Sequence, residues 1–264
     1  MLFSVRPIWA LSTITIIEAV RDRLFSVLAF FGGGLVLLAV VLSQLSLGWP
    51  ARIVADLAFA SISVVGTVAA AALTVRFVGS DFQRRTLYPI LARPNRRAVY
   101  LIGRYLGVVG AIALLTFGMW AMSSLSIALA TRSGGPQIEL WESALYCAFA
   151  ILRFAVVSAA ALLLITVASP TLAFVGALSL AVAAHASSDV HRLLEQSESE
   201  GARLVAKVIQ GLIPDFTALN PLSAIVHDGS PWSISTAAAV AYGILYVALL
   251  LVGALWAFDK RDIA

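Results

Sequence analysis

Long apolar stretches dominate this chain and alternate with short segments in which charged residues gather. A helix needs about 20 predominantly apolar residues to cross the hydrocarbon core of a bilayer. Six stretches meet that requirement, at residues 24–47, 53–78, 100–130, 151–168, 170–187 and 234–258. The pattern predicts an all-α polytopic membrane protein in which residues 1–264 form a single transmembrane domain.

The segment before the first span, residues 1–23, has two distinct helical faces. Small and polar residues occupy one face, and large apolar residues occupy the other. The first face carries Ser12, Thr15, Ala19 and Asp22, and the second carries Trp9, Ile16, Val20 and Leu24. This pattern predicts a helix that lies in the membrane interface. Such a helix either anchors the first span alone or also contacts a partner.

Two further amphipathic segments flank the later spans. Residues 188–232 carry apolar residues at helical spacing and predict one extracytoplasmic helix, or two helices separated at Gly201, before an irregular stretch at 213–221. Residues 137–147 form a second amphipathic piece before the fourth span. Both outer segments fit the membrane surface or an external partner equally well.

The link between the second and third spans combines helix signals with many arginines. Gly79 is placed to end the second span, and Ser80 with Gln83 forms a capping-box pattern. A short helix at residues 80–92 is expected to follow, disturbed by Pro89. On charge alone, the simpler interpretation is a basic segment that fixes orientation without a partner.

Between the fourth and fifth spans, Ser169 and Pro170 predict a tight reversal, because serine caps helices and proline suits the first helical position.

Composition agrees with the span pattern. The chain is 61% hydrophobic and 12% charged, with a mean hydropathy of +0.95. About a quarter of the residues of a typical soluble domain are charged. The charged residues Glu18, Arg21, Asp22 and Arg23 interrupt the first apolar run, so we expect no cleavable signal peptide.

Arginine and lysine positions predict the orientation. Twelve basic residues lie in the N-terminal segment, the link between spans two and three, and the tail, against five on the other side. Arg153 is ambiguous. The rule that positive charges stay inside then places both termini in the cytoplasm.

The residues needed for several chemistries are missing. The two lysines, Lys207 and Lys260, do not follow a glycine, so the chain has no phosphate-binding loop for ATP. The three histidines lack metal-ligand spacing, and Cys147 is a single cysteine that cannot form an intrachain disulfide. Motifs of serine hydrolases and zinc proteases are missing too. We expect no enzyme activity, no cofactor or metal on this chain, and no nucleic-acid partner.

Few ionisable residues lie within the spans, which argues against an ion-coupled carrier. Arg153 is the most notable, and its guanidinium either reaches the membrane surface or lines an ion path. Gly103 and Gly107 form a GxxxG pair at the start of span three. This pair suits close packing inside the subunit or a dimer interface.

Two stretches carry a resemblance to a known family. They are IIEAVRDRLF at residues 16–25 and SDFQRRTLYPILARPNRRAVYLIGRYLG at residues 80–107. The chain resembles the membrane subunits of type-2 ABC exporters, and most closely the permease group named for multi-copper enzyme maturation, which includes the nitrous-oxide reductase maturation permease. The matching positions are Glu18, Arg21, Arg23, Asp81, Thr86, Ile90, Leu91, Pro94, Arg97, Gly103 and Arg104. The chain departs from the group at Asp81, where Glu is commoner, and at Arg85, where Gly is commoner.

The resemblance implies that residues 80–92 are a coupling helix that seats in a cleft of a separate P-loop ATPase subunit. The implied ATPase contacts are Asp81, Phe82, Arg84, Arg85, Thr86 and Leu87, with Glu18, Arg21 and Arg23 as contacts of the interfacial helix. A second permease, identical or different, and ATP with Mg on the ATPases are implied as well. The resemblance also implies that the protein lies in the bacterial cytoplasmic membrane.

Two outputs fit these expectations. One is export of an amphipathic or lipid-like substrate. The other is conformational work on an extracytoplasmic protein. The alternative function is an ion-coupled secondary carrier or channel that acts without an ATPase.

Overall fold

The computed structural model describes residues 5–43, 50–83, 94–131, 140–195, 213–217, 219–220 and 234–260. All the regular secondary structure in these ranges is helical. The seven helices are α1 (Val5–Arg21), α2 (Arg23–Ser43), α3 (Pro50–Gln83), α4 (Pro94–Thr131), α5 (Leu140–Val167), α6 (Pro170–Glu195) and α7 (Ile234–Asp259).

Six of these helices are long and apolar enough to cross a membrane. The candidate spans are Arg23–Leu42, Ile53–Asp81, Ala98–Ala128, Leu140–Val167, Pro170–Ser187 and Ala237–Asp259. They correspond one to one with the six predicted stretches. The prediction of a polytopic helical membrane protein is therefore confirmed at this level.

Helix α5 lies at the centre of the bundle and packs against α3, α4, α6 and α7. In its apolar 18-residue window 72% of the residues are buried, whereas in that of α7 11% are buried. Large apolar side chains cover the periphery, including Phe30 at 87% exposure and Leu245 at 70%. Such surfaces suit lipid, since the hydrocarbon core makes no demand for polar groups.

The helix α3 continues four residues past Gly79, so the prediction that Gly79 ends the second span is wrong. Gly79 is buried, and a Cβ there would lie at ordinary contact distance, 3.4 Å, from Ile165 Cδ1 of α5. Ser80 Oγ donates to the Phe77 carbonyl at 3.1 Å instead of capping a new helix. The first residues of the predicted 80–92 helix are thus the last turn of α3, held there by packing on α5. Residues 84–92 lie outside the described ranges.

Two predicted amphipathic segments are partly extensions of the spans. Helix α5 begins at Leu140, and α6 runs on to Glu195 without a break. The prediction of separate elements is wrong for residues 140–147 and 188–195. The α5 extension is packed into the bundle, where Trp120 Nε1 of α4 donates to Ser143 Oγ at 3.0 Å. Residues 137–139, 196–212 and 221–233 are outside the described ranges.

The reversal at Ser169 and Pro170 is confirmed. Helix α5 ends at Val167 and α6 begins at Pro170. The Ser169 carbonyl accepts from the Ala173 amide at 2.9 Å, and Ser169 Oγ accepts from the Leu172 amide at 3.5 Å. The described part of 213–220 is irregular, as predicted, and the Phe216 amide donates to the Ala184 carbonyl at 3.1 Å.

One end of the bundle collects the arginines. The α1–α2 junction, the end of α3, the start of α4 and the α5–α6 reversal meet there, and Tyr100, Phe258 and Leu11 pack together beside them. We call this the Arg-rich end, because Arg21, Arg23, Arg76 and Arg104 lie on it. We call the other end of the bundle the opposite end.

Candidate functional site

Arg104 lies at the centre of a buried polar group at the Arg-rich end and is 9% exposed. Its Nε and Nη2 each lie 2.8 Å from Asp81 Oδ2, and its Nη1 lies 2.7 Å from Glu18 Oε2. Nη1 also donates to Thr15 Oγ1 at 3.1 Å, and the Tyr100 hydroxyl donates to Asp81 Oδ2. We call Thr15, Glu18, Asp81, Tyr100 and Arg104 the Arg104 cluster. It joins α1, α3 and α4.

Helical spacing explains why these side chains meet. Tyr100 and Arg104 are four residues apart on α4, and Thr15 and Glu18 are three apart on α1, so each pair shares a face. Asp81 joins them from the last turn of α3. One guanidinium faces two carboxylates, so every charge in the cluster has a partner. Removing one partner of a buried ion pair is strongly destabilising, because it leaves a buried charge uncompensated.

A second ion pair holds the same part of α3. Arg76 donates from Nε to Asp22 Oδ2 at 2.8 Å, and its Nη2 lies 2.8 Å from the same oxygen. Asp22 Oδ1 accepts from the Leu24 amide at 2.7 Å and so caps α2. The Arg76 side chain is 53% exposed, so solvent screens this pair and its net contribution is small.

A glycine seam brings α1 close to α4. A Cβ on Gly103 would lie 2.8 Å from Leu11 Cδ2, and one on Gly110 would lie 2.8 Å from Ile16 Cδ1. A Cβ on Gly107 would clash with Thr15 and lie 2.9 Å from the Ser12 carbonyl oxygen. The GxxxG pair therefore packs inside the subunit, the first of the two alternatives left open by the sequence. Gly110 extends the seam at helical spacing.

The predicted small face of α1 is turned toward the protein, since Ser12, Thr15 and Ala19 are buried. The predicted apolar face is only partly outward: Trp9 and Val20 are 69% and 43% exposed, whereas Ile16 packs against Gly110 of α4. The two helix backbones approach most closely at Gly107, and the α1 residues opposite it, Ser12 and Thr15, are small. Location of α1 in the membrane interface stays a prediction.

The structure brings together some of the predicted contact residues. Glu18 and Asp81 meet at Arg104, while Arg21 and Arg23 are exposed at the α1–α2 junction. Phe82 lies in the last turn of α3, and Arg84, Arg85, Thr86 and Leu87 lie outside the described ranges. Their contacts with an ATPase stay predictions.

Asp81 differs from the expectation in one respect. The sequence suggested a carboxylate presented to a partner, whereas its side chain is 16% exposed and bound by Arg104 and Tyr100. The roles of Tyr100, Thr15 and the Asp22–Arg76 pair were missed. The sequence did offer one signal for these contacts. Tyr100 and Arg104 are four residues apart on a span that is otherwise poor in polar groups.

Arg153 lies halfway along α5 and is 2% exposed. Its Nη2 donates to the Tyr146 hydroxyl at 3.3 Å, and its guanidinium carbon lies 5.5 Å from the Tyr146 ring centroid. The Tyr146 hydroxyl donates in turn to the Phe59 carbonyl at 2.9 Å. The side chain thus points toward the opposite end, but stays inside the bundle rather than reaching its surface. Within the described ranges, Arg153 Nε has no hydrogen-bond partner and no carboxylate pairs with the guanidinium.

The described residues contain no group of three or more His, Cys, Asp or Glu side chains able to hold a metal ion. Cys147 is buried and unpaired.

No protein-family model matches the chain, and no curated protein matches it at a significant level.

Proposed function

We propose that this chain is the membrane-spanning permease subunit of an ABC transporter, which couples ATP hydrolysis on a separate ATPase subunit to movement of the permease. The observation that carries the proposal is the Arg104 cluster. It joins the end of α3 to α1, and the sequence resemblance assigns ATPase contacts to both elements.

The geometry supports transmission of movement through this cluster. Asp81 lies two residues before the end of α3 at Gln83, so a displacement of the segment after α3 reaches Asp81 through less than one helical turn of α3. Asp81 is bound to Arg104 of α4, and Arg104 is bound to Glu18 of α1. A displacement of the end of α3 therefore acts on three helices, α3, α4 and α1. Because a ligand shifts an equilibrium only through its different affinity for two states, the ATPase contacts must change between the states.

The proposed assembly contains two permeases, identical or different, and two P-loop ATPases that hold ATP and Mg. It lies in a bacterial cytoplasmic membrane with both termini of this chain in the cytoplasm. The excess of arginine at one end of the bundle supports this orientation. The Arg-rich end then faces the ATPases.

Two outputs remain compatible with the assembly. One is export of an amphipathic or lipid-like substrate between the permeases, and the other is conformational work on an extracytoplasmic protein. A lined cavity between two permeases would favour export, and a tight dry interface would favour the second output.

Co-purification tests the proposal. The tagged chain is isolated from native membranes in mild detergent beside an Arg84→Glu/Arg85→Glu variant, and co-purifying proteins are identified by mass spectrometry. The control is Lys260→Glu/Arg261→Glu, which makes the same charge change in the tail. We expect a P-loop ATPase with the wild type and the control, and its loss from the Arg84/Arg85 variant. Absence of an ATPase from all samples contradicts the proposal.

Arg153 favours a second candidate function. A buried guanidinium without a carboxylate partner in the described ranges can attract an anion, as in an ion-coupled carrier. This candidate predicts anion uptake into liposomes that contain the purified chain alone. It also predicts loss of that uptake in Arg153→Met.

A further inference from the structure

A groove opens at the Arg-rich end between the starts of α2 and α6 and the end of α3. Its volume is about 480 Å³, which is within the usual range for small-molecule sites. Leu24, Val75 and Phe174 form apolar walls, and Gly79 also lines the groove. Arg76 and Thr171 add polar atoms to the same lining.

The charge around this groove is positive. Arg76 is half-exposed, and its two contacts with Asp22 involve a single carboxylate oxygen. A guanidinium has five N–H donors, so Arg76 can also donate to another acceptor. Arg21 and Arg23 are exposed on either side of Asp22 and leave the junction with a net positive charge. The first turn of α6, at Pro170 and Thr171, adds the positive end of a helix dipole.

The groove also lies at the boundary of the candidate spans. Leu24 is the second residue of the span Arg23–Leu42, and Pro170 is the first residue of Pro170–Ser187. Gly79 lies two residues before the end of Ile53–Asp81. Acyl chains and headgroup phosphates meet at this depth in a bilayer. In a protein whose six candidate helices span the bilayer, this depth puts the apolar walls beside hydrocarbon and Arg76 beside the phosphates.

We propose that an anionic phospholipid occupies this groove, with an acyl chain against Leu24, Val75 and Phe174 and its phosphate on Arg76. An apolar cleft with one cation at its mouth matches the two parts of such a lipid. The site is independent of ATPase coupling and requires only that the six helices span a membrane. Its failure and the failure of the proposed function are therefore distinguishable.

Native mass spectrometry of the chain released from vesicles tests the site. The vesicles contain equal parts of phosphatidylglycerol and phosphatidylcholine, and the retained lipids are counted. We expect one retained phosphatidylglycerol in the wild type. Arg76→Gln should lower its retention roughly fivefold, the effect of one basic residue at an anionic surface. Lys260→Gln, which removes a charge at the same end just after α7, should leave retention unchanged.

Three further variants separate steric from electrostatic causes. Val75→Trp fills the groove and should abolish retention, whereas Val64→Trp, on the exposed lipid-facing side of α3, should not. Asp22→Asn keeps the cap oxygen of α2 but frees Arg76 from its carboxylate, so it should raise phosphatidylglycerol retention. Helical circular dichroism and elution volume verify that each variant is folded.

Three outcomes overturn the proposal. The first is phosphatidylglycerol retention in Val75→Trp equal to that in Val64→Trp. The second is equal retention of the two lipids by the wild type. The third is displacement of the bound lipid by millimolar inorganic phosphate, which would mean that the acyl chain contributes nothing.

Discussion

Among the described residues, two arginines lie inside this bundle, and their charges have different partners. Arg104 contacts two carboxylates and a threonine hydroxyl at the Arg-rich end. Arg153 donates to the Tyr146 hydroxyl and lies over the Tyr146 ring, whereas among the described residues no carboxylate pairs with it and its Nε is unpartnered. Both are nearly inaccessible, at 9% and 2% exposure.

The difference separates two roles for a buried cation. Arg104 is the cation that pairs with both Glu18 and Asp81, so three helices depend on it. The charge of Arg153 compensates nothing in the described ranges and carries a desolvation cost. Loss of Arg104 should therefore damage the fold, whereas loss of Arg153 should spare it.

The largest effect is expected for Arg104→Ala. It leaves Asp81 buried without a cation and should lower the free energy of unfolding by about 3 kcal/mol. Unfolding in mixed detergent micelles measures the change. Arg104→Lys keeps the charge but loses the forked geometry of the guanidinium, so it should lower the free energy of unfolding by less than Arg104→Ala does. Equal losses in both variants would show that packing, rather than charge geometry, dominates.

Gly107→Ala should have the next largest effect. The new methyl group would clash with Thr15, and overpacking of this kind costs about 1–3 kcal/mol. The matched control is Gly34→Ala on α2, where a Cβ would meet nothing within 4 Å. If both variants unfold alike, α1 does not pack on α4 as described.

Substitution of the two carboxylates of the Arg104 cluster should lower the free energy of unfolding by different amounts. The side chain of Asp81 is 16% exposed and that of Glu18 is 50% exposed. Asp81→Asn should therefore lower the free energy of unfolding by about 1–2 kcal/mol. Glu18→Gln should lower it by less than about 0.5 kcal/mol, because solvent screens the half-exposed Glu18. The same micelle assay compares them, and a reversed order contradicts the assigned depths.

The smallest effect on stability is expected for Arg153→Met. Replacing an uncompensated buried cation by an apolar side chain should leave the free energy of unfolding within about 1 kcal/mol of the wild type, or raise it. A loss as large as that of Arg104→Ala would mean that Arg153 has a carboxylate partner outside the described ranges. That outcome would remove the contrast between the two arginines.

The six spans and the reversal at Ser169 could be predicted because their causes are local. A bilayer demands apolar side chains and internal backbone hydrogen bonds from each span by itself. The end of α3 could not be predicted. Gly79 is a helix-ending signal, yet the buried Phe77 and Val78 and the bound Asp81 keep the helix intact.

The candidate site was predicted in its members but not in its contacts. The resemblance pointed to Glu18, Asp81 and Arg104, which lie far apart in sequence. Only the packing of α1 across the glycine seam shows that Arg104 binds both carboxylates. Arg153 shows a different limit. The sequence left open whether its guanidinium reaches the membrane surface or lines an ion path, and its burial depends on neighbouring helices.

The central claim is that the Arg104 cluster transmits movement from the ATPase to α1. A distance measurement tests it, with spin labels at Ile17 on the exposed face of α1 and at Leu245 on the exposed face of α7. The purified complex is compared with and without trapped ATP, in the wild type and in Asp81→Asn. We predict an ATP-dependent distance change in the wild type that is lost in Asp81→Asn while the ATPase stays bound. An unchanged response in Asp81→Asn would contradict the account.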